Sequence, residues 1–297
     1  MTDSVASLAA PPAAPVARSP GYWSNVLRRL RRDPLALTAG AIILALIVMA
    51  ILAPWITPAD PFQASMLKRL RPIGTEGYPL GADELGRDML SRLMLGARLS
   101  LFMGIVPVIA AFVVGSAIGI LAGYAGGWTG TVIMRVVDVF YAFPSVLLAI
   151  ALSGTLGAGI FNAIISLTIV FIPQIVRVAE SVTTQVRRSD YVDAARASGA
   201  APFTIVRAHV LSNVLGPIFV YSTSLISVSM ILASGLSFLG LGVRPPEPEW
   251  GLMLNTLRTA IYTQPWVAAL PGVMIFITSM SFNLLSDGLR SAMEVKE

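Results

Sequence analysis

Six long apolar segments that contain no Asp, Glu, Lys or Arg constrain the fold of this chain most strongly. They cover residues 35–56, 99–123, 139–157, 160–176, 210–241 and 266–286. A helix of about 20 apolar residues is long enough to cross the hydrocarbon core of a membrane. Charged residues make up only 12% of the chain, too few to cover the surface of a water-soluble domain of this length. The sequence therefore predicts an all-α membrane protein with six transmembrane helices.

The lengths of these segments predict how the helices are connected. The third and fourth segments are the shortest, and only Ala158 and Gly159 separate them, which predicts a tight helical hairpin. The fifth is longer than a membrane requires, so it should begin as an interfacial helix or break near Gly235 or Gly240. The repeat G-x-x-x-G-x-x-x-G over residues 115–123 favours close packing of the second helix against a neighbour.

Basic residues before the first apolar segment predict the orientation of the chain. The tail, residues 1–34, holds five arginines: Arg18, Arg28, Arg29, Arg31 and Arg32. Such clusters beside a first span usually stay in the cytoplasm, so the tail and residues 290–297 are both expected there. The apolar run that follows is too long for a signal peptide, which predicts an uncleaved first span over residues 35–57. This topology explains the net charge of +5 without nucleic-acid binding.

The predicted outside loop, residues 58–97, has the pattern of a structured element. It contains the sequence GADELGRD at residues 81–88, and apolar residues then follow at helical spacing. We expect an amphipathic helix on the outer surface that leads into the second span, with Asp83 as its N-cap. Two roles stay open for this helix, which are bracing the helix bundle and receiving substrate.

Residues 187–209, on the predicted cytoplasmic side, form the most informative polar segment. Asp190 is expected to cap a short helix, Gly199 to end it in the left-handed conformation, and Pro202 to begin a second helix. One face of the first helix carries an aromatic residue and small residues: Tyr191, Ala194, Ala195 and Ser198. A slim helix with an aromatic anchor fits a groove on a partner protein. An ordinary connector would show the same spacing.

Specific motifs in this chain resemble those of one transporter family. The stretch Asp193-Ala194-Ala195-x-x-x-Gly199 resembles the EAA loop of ATP-binding-cassette (ABC) importer permeases, with Asp193 where Glu is usual. Four other motifs are similar to those of the dipeptide/oligopeptide/nickel group and occur in the same order: GADELGRD at 81–88, RVVD and Phe-Pro within 135–144, LSFLGLG and PPEPEWG within 236–251, and FNLLSDGLR at 282–290. The overall pattern is most similar to the second, C-type, permease subunit of dipeptide and glutathione importers.

This resemblance implies a type I ABC importer permease, a multi-pass protein of the bacterial inner membrane with a permease core over residues 98–289. It implies that a coupling helix in this chain docks on an ATPase through these residues: Asp190, Tyr191, Asp193, Ala194, Ala195, Ser198 and Gly199. It also implies that an external binding protein contacts the outside loops near these residues: Gly81, Asp83, Gly86, Arg87, Asp88, Pro245, Pro246, Glu249 and Trp250.

The implied assembly contains a second homologous permease subunit, two ATPase subunits and a substrate-binding protein, with lipid around the permeases. The implied cargo is a di- or oligopeptide, or a glutathione-like peptide. Nickel, opines and oligosaccharides are alternatives, because the binding protein largely sets specificity in this family. No nucleic-acid partner is implied.

The chain itself lacks the residues that would bind nucleotide or perform catalysis. Its only lysines are Lys68 and Lys296 and neither follows a glycine, so the motif G-x-x-x-x-G-K-[ST] is absent. ATP and magnesium are therefore expected on the partner ATPases, with no cofactor or metal bound here. His209 is the one histidine and the chain has no cysteine, which gives no recognisable metal site. No carboxylate lies within a predicted span, which argues against the rival class, an ion-coupled secondary carrier.

Polar residues within the predicted spans are candidates for lining a translocation pathway: Asn162, Ser166, Thr168, Ser222, Ser224, Ser227 and Ser229. Ser and Thr also join packed helices, so both roles stay open. Before the third span, Arg135 and Asp138 have i,i+3 spacing. This spacing predicts an ion pair at a helix end rather than a contact with substrate.

Overall fold

Helices make up nearly all the regular structure of the residues that the structure describes. The computed structural model describes residues 22–293. The α-helices are α1 (Tyr22–Leu30), α2 (Pro34–Ile56), α3 (Met89–Ala125), α4 (Gly127–Tyr141), α5 (Ser145–Leu156), α6 (Ile160–Arg187), α7 (Asp190–Ala197), α8 (Pro202–Ile205), α9 (Leu211–Phe238), α10 (Trp250–Thr256) and α11 (Pro265–Met293). A π-helical turn, Val206–Val210, joins α8 to α9, and two short 3₁₀-helices lie at Met66–Lys68 and Arg258–Tyr262. The predicted all-α class is confirmed.

One end of the molecule, the loop end, gathers residues 57–88, 157–159 and 239–264. There the Gly159 N–H donates a hydrogen bond to the Leu241 carbonyl at 3.3 Å. The Trp250 N–H donates to the Ser100 hydroxyl at 3.1 Å, across 150 residues of sequence. The first contact joins the start of α6 to the end of α9, and the second joins the start of α10 to α3.

The opposite end, the termini end, gathers residues 30–36, 188–204 and 288–293. Gly288 of α11 lies against Ala36 at the start of α2, and Gly216 of α9 lies against Met293. Successive crossings therefore alternate in direction between the two ends when the pair α4–α5 is counted as one crossing. The pair α4–α5 also connects them, because it starts next to α3 at the termini end and finishes at the hairpin turn of the loop end.

Among residues 22–293, five helices are long and apolar enough to cross a membrane: Pro34–Ile56, Met89–Ala125, Ile160–Arg187, Pro202–Phe238 and Pro265–Met293. The third predicted span, 139–157, is not a single helix, which corrects the prediction. It is divided between α4 and α5, which are bent by 85° at residues 142–144. Pro144 explains the break, because a proline ring disfavours helical backbone at the preceding residue. The prediction of six crossings holds when the bent pair counts as one.

The second span is longer than predicted and includes the expected surface helix. Helix α3 has 37 residues and begins at Met89, so the amphipathic stretch forms its first turns instead of a separate element. Its N-cap is Asp88, whose carboxylate accepts the Ser91 N–H at 2.8 Å. The prediction that Asp83 caps this helix was wrong.

Close packing of α3 on α6 forms the centre of the bundle. A Cβ on Gly115 would lie 3.0 Å from Ile175, and one on Gly123 would lie 2.8 Å from Thr183. Any larger side chain would push the helices apart, which confirms the packing predicted for the glycine repeat. The contacts keep the same order along both helices, so α3 and α6 run parallel.

The fifth span is irregular at both of its ends. Helix α9 continues through Gly235 and ends at Phe238, after which Gly240 has a φ of +79°. Of the two predicted breaks, only the one near Gly240 exists. At the other end, α8 and the π-helical turn lead into α9 as one apolar stretch of 37 residues, Pro202–Phe238.

Candidate functional site

A helix–glycine–helix element, here called the hook, projects at the termini end between α6 and α9. It consists of α7, the turn 198–201 and α8. Gly199 has a φ of +81°, the left-handed conformation that a helix C-terminus favours, and Pro202 occupies the first position of α8. The predicted shape is confirmed. One detail was wrong, because Ser189 is the N-cap of α7 and Asp190 lies in its first turn.

Two buried residues fix the hook to the helix bundle. Val192 of α7 and Ile205 of α8 are 0% and 1% exposed and belong to the main apolar core, which also contains Val210 and Val214 of the fifth span. Truncating a buried aliphatic side chain of this kind costs about 2–5 kcal/mol, so the hook is held firmly to the fifth span.

The outer surface of the hook combines apolar rings with small residues. Tyr191 is 45% exposed and Phe203 is 75% exposed, while Ala194 and Ser198 are also exposed. Ala195 is half-buried against the core. The sequence prediction included Tyr191 but missed Phe203. A large apolar residue directly after Pro202, within a polar segment, was the available signal.

Charged residues surround the hook. Asp193 and Arg196 form an exposed ion pair at 2.9 Å, a type of pair worth only about 0.3–0.5 kcal/mol on a helix surface. The Arg196 guanidinium also lies over the Tyr124 ring of α3 at 5.9 Å. A polar cleft of 740 Å³ beside the hook is lined by further arginines, including Arg187 and Arg188. This end of the molecule therefore presents a mixed polar and aromatic surface.

At the loop end, an ion-pair cluster centres on Asp83. Its carboxylate accepts hydrogen bonds from the Arg87 side chain at 2.6 Å and from the Leu85 and Arg87 N–H groups at 2.9 Å. The Arg92 side chain of α3 lies 3.2 Å away. All three charged side chains are buried. Because buried charges are stable only when paired, the cluster fixes the loop onto the start of α3.

A second buried carboxylate, Glu249, joins α10 to α3. It caps α10 by accepting the N–H groups of Gly251 and Leu252, each at 2.9 Å, and it accepts the Ser100 hydroxyl at 3.1 Å. Burial raises the pKa of Glu249 above its ordinary value of 4.5. The neighbouring Trp250 is fully buried and donates its indole N–H to the Leu93 carbonyl at 3.0 Å.

Two glycines allow the loop to fold closely onto itself. Gly81 and Gly86 have φ values of +79° and +75°. A Cβ on Gly86 would overlap the Ser65 carbonyl oxygen, and one on Gly81 would lie 2.5 Å from the Arg71 carbonyl oxygen. Only glycine satisfies both the backbone conformation and the close approach.

Most residues predicted to contact a binding protein are therefore buried. They are Gly81, Asp83, Gly86, Arg87, Asp88, Glu249 and Trp250. Their side chains cannot form an external contact surface in this structure. Pro245 and Pro246, joined by a cis peptide bond, are exposed with Arg244 and Glu247 beside them. The sequence motifs correctly predicted that the loop end is structured. They did not show which of their residues are buried and which are exposed.

The predicted pathway-lining residues mostly bond within their own helices. The Ser222 hydroxyl donates to the Ile218 carbonyl at 2.8 Å, and Thr168 and Ser227 make similar local bonds. Ser166 and Ser229 are fully buried. These local bonds satisfy the hydroxyl groups within each helix, and the lining role stays a prediction.

A different polar group is exposed on α4 and α6. Asp138 pairs with Arg177 at 2.5 Å and not with Arg135, which corrects the predicted pair. Both side chains are nearly half-exposed, at 43% and 47%. The Arg177 guanidinium also lies over the Tyr141 ring at 4.7 Å. The i,i+3 spacing favoured Arg135, but the packing of α4 on α6 brings Arg177 closer.

Solved structures show the class of fold to which this arrangement belongs. The MetNI methionine ABC transporter, in inward-facing conformations, matches with a TM-score of 0.58 at 20% identity, covering 69% of this chain and 97% of that chain. An amino acid ABC transporter with histidines matches with a TM-score of 0.51 at 15% identity, covering 67% and 94%. The fold is therefore that of a type I ABC importer permease.

Sequence comparison identifies the family. The family described as binding-protein-dependent transport system inner membrane component matches residues 115–295. The N-terminal transmembrane domain of oligopeptide transport permease C matches residues 21–72. This chain belongs to the binding-protein-dependent transport permeases, which are multi-pass proteins of the bacterial inner membrane.

Named relatives extend this similarity over most of the chain. The glutathione transport system permease protein GsiD of Pectobacterium atrosepticum is 40% identical over 274 residues, covering 92% of this chain and 91% of that protein. GsiD of Escherichia coli O6:K15:H31 is 41% identical over 274 residues, covering 92% and 90%.

Proposed function

We propose that this chain is the C-type permease subunit of an ATP-driven importer for small peptides of the glutathione type. A second, homologous permease would complete the pathway, and two ATPase subunits would hold ATP and magnesium. The termini end would face the cytoplasm. The observation that carries this proposal is the hook, an exposed helix–glycine–helix element fixed by its buried side to the fifth span.

The hook has the mechanical properties that coupling to an ATPase requires. Its outer surface offers Tyr191 and Phe203 to a groove, while Val192 and Ile205 hold its inner side in the core. The fifth span continues from Pro202 to Phe238 without a loop. A displacement of the hook would therefore move this span as a rigid body, the kind of motion that alternates access across a membrane.

The loop end would receive the substrate-loaded binding protein. The buried ion pairs of Asp83 and the buried hydrogen bonds of Glu249 hold its shape, and the exposed surface near Pro245 and Pro246 is available for contact. Preorganised loops bind partners with a smaller loss of conformational entropy than flexible ones. We therefore assign the buried motif residues a supporting role and the exposed residues the direct contact.

The cargo assignment follows from the GsiD relatives, at 40–41% identity over 274 residues. Nickel, opines and oligosaccharides are the alternatives within the same class of importer. The described residues contain no group of three or more His, Asp or Glu side chains that could hold a metal ion. A secondary carrier that works without ATPases is the rival outside this class.

Substituting the hook glycine tests the proposal. Gly199→Trp places a bulky residue at a left-handed position in open space on the hook, where it should block docking of the ATPase. We expect unchanged insertion into the membrane, loss of ATPase co-purification in mild detergent, and at least a tenfold loss of ATP-dependent glutathione uptake in proteoliposomes.

Gly77→Trp is the matched control, because Gly77 has a φ of +74° and is equally unobstructed but lies at the loop end. This variant should retain its ATPase subunits. The proposal is contradicted if Gly199→Trp co-purifies with ATPase and transports normally, or if the unmodified chain imports substrate without any ATPase.

A further inference from the structure

The bend between α4 and α5 encloses a cavity that the hook and the loop end do not use. The cavity has a volume of 360 Å³ and is lined by residues of both helices and of α6, among them Tyr141, Ser145, Pro173 and Gln174. Small-molecule sites typically measure about 300–1,000 Å³. The cavity in this one subunit is therefore large enough to contribute to such a site.

The cavity lies about halfway along the membrane-spanning part of α6. Its α6 residues, which are Val170, Pro173 and Gln174, lie about 10–14 residues from the start of that helix, or about 15–21 Å from the loop end of the membrane. This depth is near the middle of a hydrocarbon core of about 30 Å. Transporters commonly place substrate at this level, beside helices that are interrupted.

The interruption leaves polar groups at the cavity. The α4–α5 break bends the span by 85°, and Pro173 removes one backbone donor from α6. The Gln174 amide lies 3.4 Å from the Ser145 hydroxyl, across the cavity wall. Such groups can hydrogen-bond the peptide units of a ligand.

The Asp138–Arg177 pair does not line this cavity but is linked to it through Tyr141, and Asp138 lines the polar cleft beside the hook. The Arg177 guanidinium is 4.7 Å from the centre of the Tyr141 ring, which lines the cavity. Within residues 22–293, Arg177 donates one hydrogen bond and Asp138 accepts one, so both retain unused bonding capacity. A half-exposed ion pair on a membrane-spanning helix is costly in lipid, and it therefore belongs on a face that borders water or protein.

We propose that this cavity and ion pair form a contact site for the peptide in transit, with Arg177 binding the terminal carboxylate and Asp138 the amino group. The inference rests on the proposed function and goes beyond it by assigning the residues that recognise a zwitterionic peptide. A peptide with free termini offers a complement to each charge, so binding replaces one ion pair with two. Tyr141, Ser145 and Gln174 surround the peptide between its ends.

Charge-neutral variants in the assembled transporter test this site. The complete complex with its binding protein is reconstituted in proteoliposomes, and uptake of glutathione and of alanyl-alanine is measured with ATP hydrolysis. For Asp138→Asn and for Arg177→Gln, we expect the peptide imported per ATP hydrolysed to fall at least tenfold. Arg135→Gln is the matched control and should keep the wild-type ratio, because Arg135 lies one turn from Asp138 and makes no ion pair within residues 22–293.

The charge-reversed double variant, Asp138→Arg with Arg177→Asp, separates recognition from packing. It restores an ion pair but exchanges the positions of the two charges. A pair that only joins α4 to α6, or that only contacts the second permease by packing, should be rescued by this exchange. A site with fixed polarity should stay impaired, which is the result we expect.

Thiol labelling measures directly whether a peptide occupies the cavity, because the chain has no cysteine of its own. Ser145→Cys introduces a single thiol into the cavity, and S-methylglutathione, which lacks a free thiol, should slow its maleimide labelling at least threefold during ATP-driven turnover. Asp138→Asn should abolish this protection.

The outcomes distinguish the site from the proposed function. If the wild type imports peptide and the single variants keep its ratio of peptide to ATP, or the reversed pair restores it, the site is wrong and the proposed function stands. If the wild-type complex imports neither peptide but carries another cargo, such as Ni²⁺, the proposed function fails and the peptide site fails with it.

Discussion

Individual carboxylates in this chain have roles that depend on burial more than on sequence context. Asp83 and Glu249 lie in loops whose sequence suggests exposed acidic motifs, yet they are 1% exposed. Asp138 lies beside an apolar segment and is nearly half-exposed. Glu249 reaches Ser100, 149 residues away in sequence. Contacts of such long range explain why the motif could be recognised while the burial of its residues could not be predicted.

The buried Glu249 makes stability depend on pH. Burial raises its pKa in the folded protein above the ordinary value of 4.5, so the folded state binds this proton more tightly than the unfolded state. Its contribution to stability is therefore largest below 4.5 and declines as pH rises towards the raised pKa. Glu249→Gln removes this titration and keeps one acceptor for the α10 cap.

We expect the melting temperature of the wild type, relative to Glu249→Gln, to be lower at pH 8 than at pH 5. Intrinsic tryptophan fluorescence in detergent measures both proteins. Glu249→Ala should cost about 1–2 kcal/mol because it removes the cap altogether. A melting temperature of the wild type that instead rises from pH 5 to pH 8, relative to Glu249→Gln, would contradict this and show that the hydrogen bonds to the carboxylate outweigh the penalty of burial.

At the scale of elements, the helices could be predicted well and their interruptions only partly. Five of the apolar stretches without charges form long helices. Neither lipid nor a packed core offers water to the backbone, so its polar groups must hydrogen-bond within the helix. The α4–α5 bend was missed, since 139–157 reads as one apolar run and Pro144 alone marks the break. The hook was predicted because its signals, Gly199 and Pro202, act locally on the backbone.

The hook surface yields a prediction about docking. Replacing Tyr191 and Phe203 together by Ala removes two exposed rings, and aromatic residues often dominate the binding energy of an interface. We expect at least a tenfold weaker association with the ATPase, with little change in the thermal stability of the permease. Tyr262→Ala is the matched control, because this ring is 89% exposed at the loop end.

Binding of detergent-purified permease to immobilised ATPase measures these affinities. Equal weakening by Tyr262→Ala would indicate a general defect of the permease. Unchanged binding of the double variant would exclude the aromatic face of α7 and α8 as the docking surface.

At the scale of the whole molecule, the two ends differ in structure. The loop end is held by buried ion pairs and caps, while the termini end presents the hook and a polar cleft of 740 Å³. The bundle between them connects the hook to the loop end through the fifth span, which runs from Pro202 to Phe238. This arrangement suits a subunit that converts movement at one side of a membrane into opening at the other.

The sidedness of the hook tests this account most directly. Ser198→Cys places the only thiol of the chain on the exposed turn of the hook, and a membrane-impermeant maleimide then reports which side it faces. We predict no labelling in right-side-out vesicles, rapid labelling in inverted vesicles, and protection there when the ATPase subunits are co-expressed. Labelling from the outside would contradict the account, because no cytoplasmic ATPase could then reach the hook.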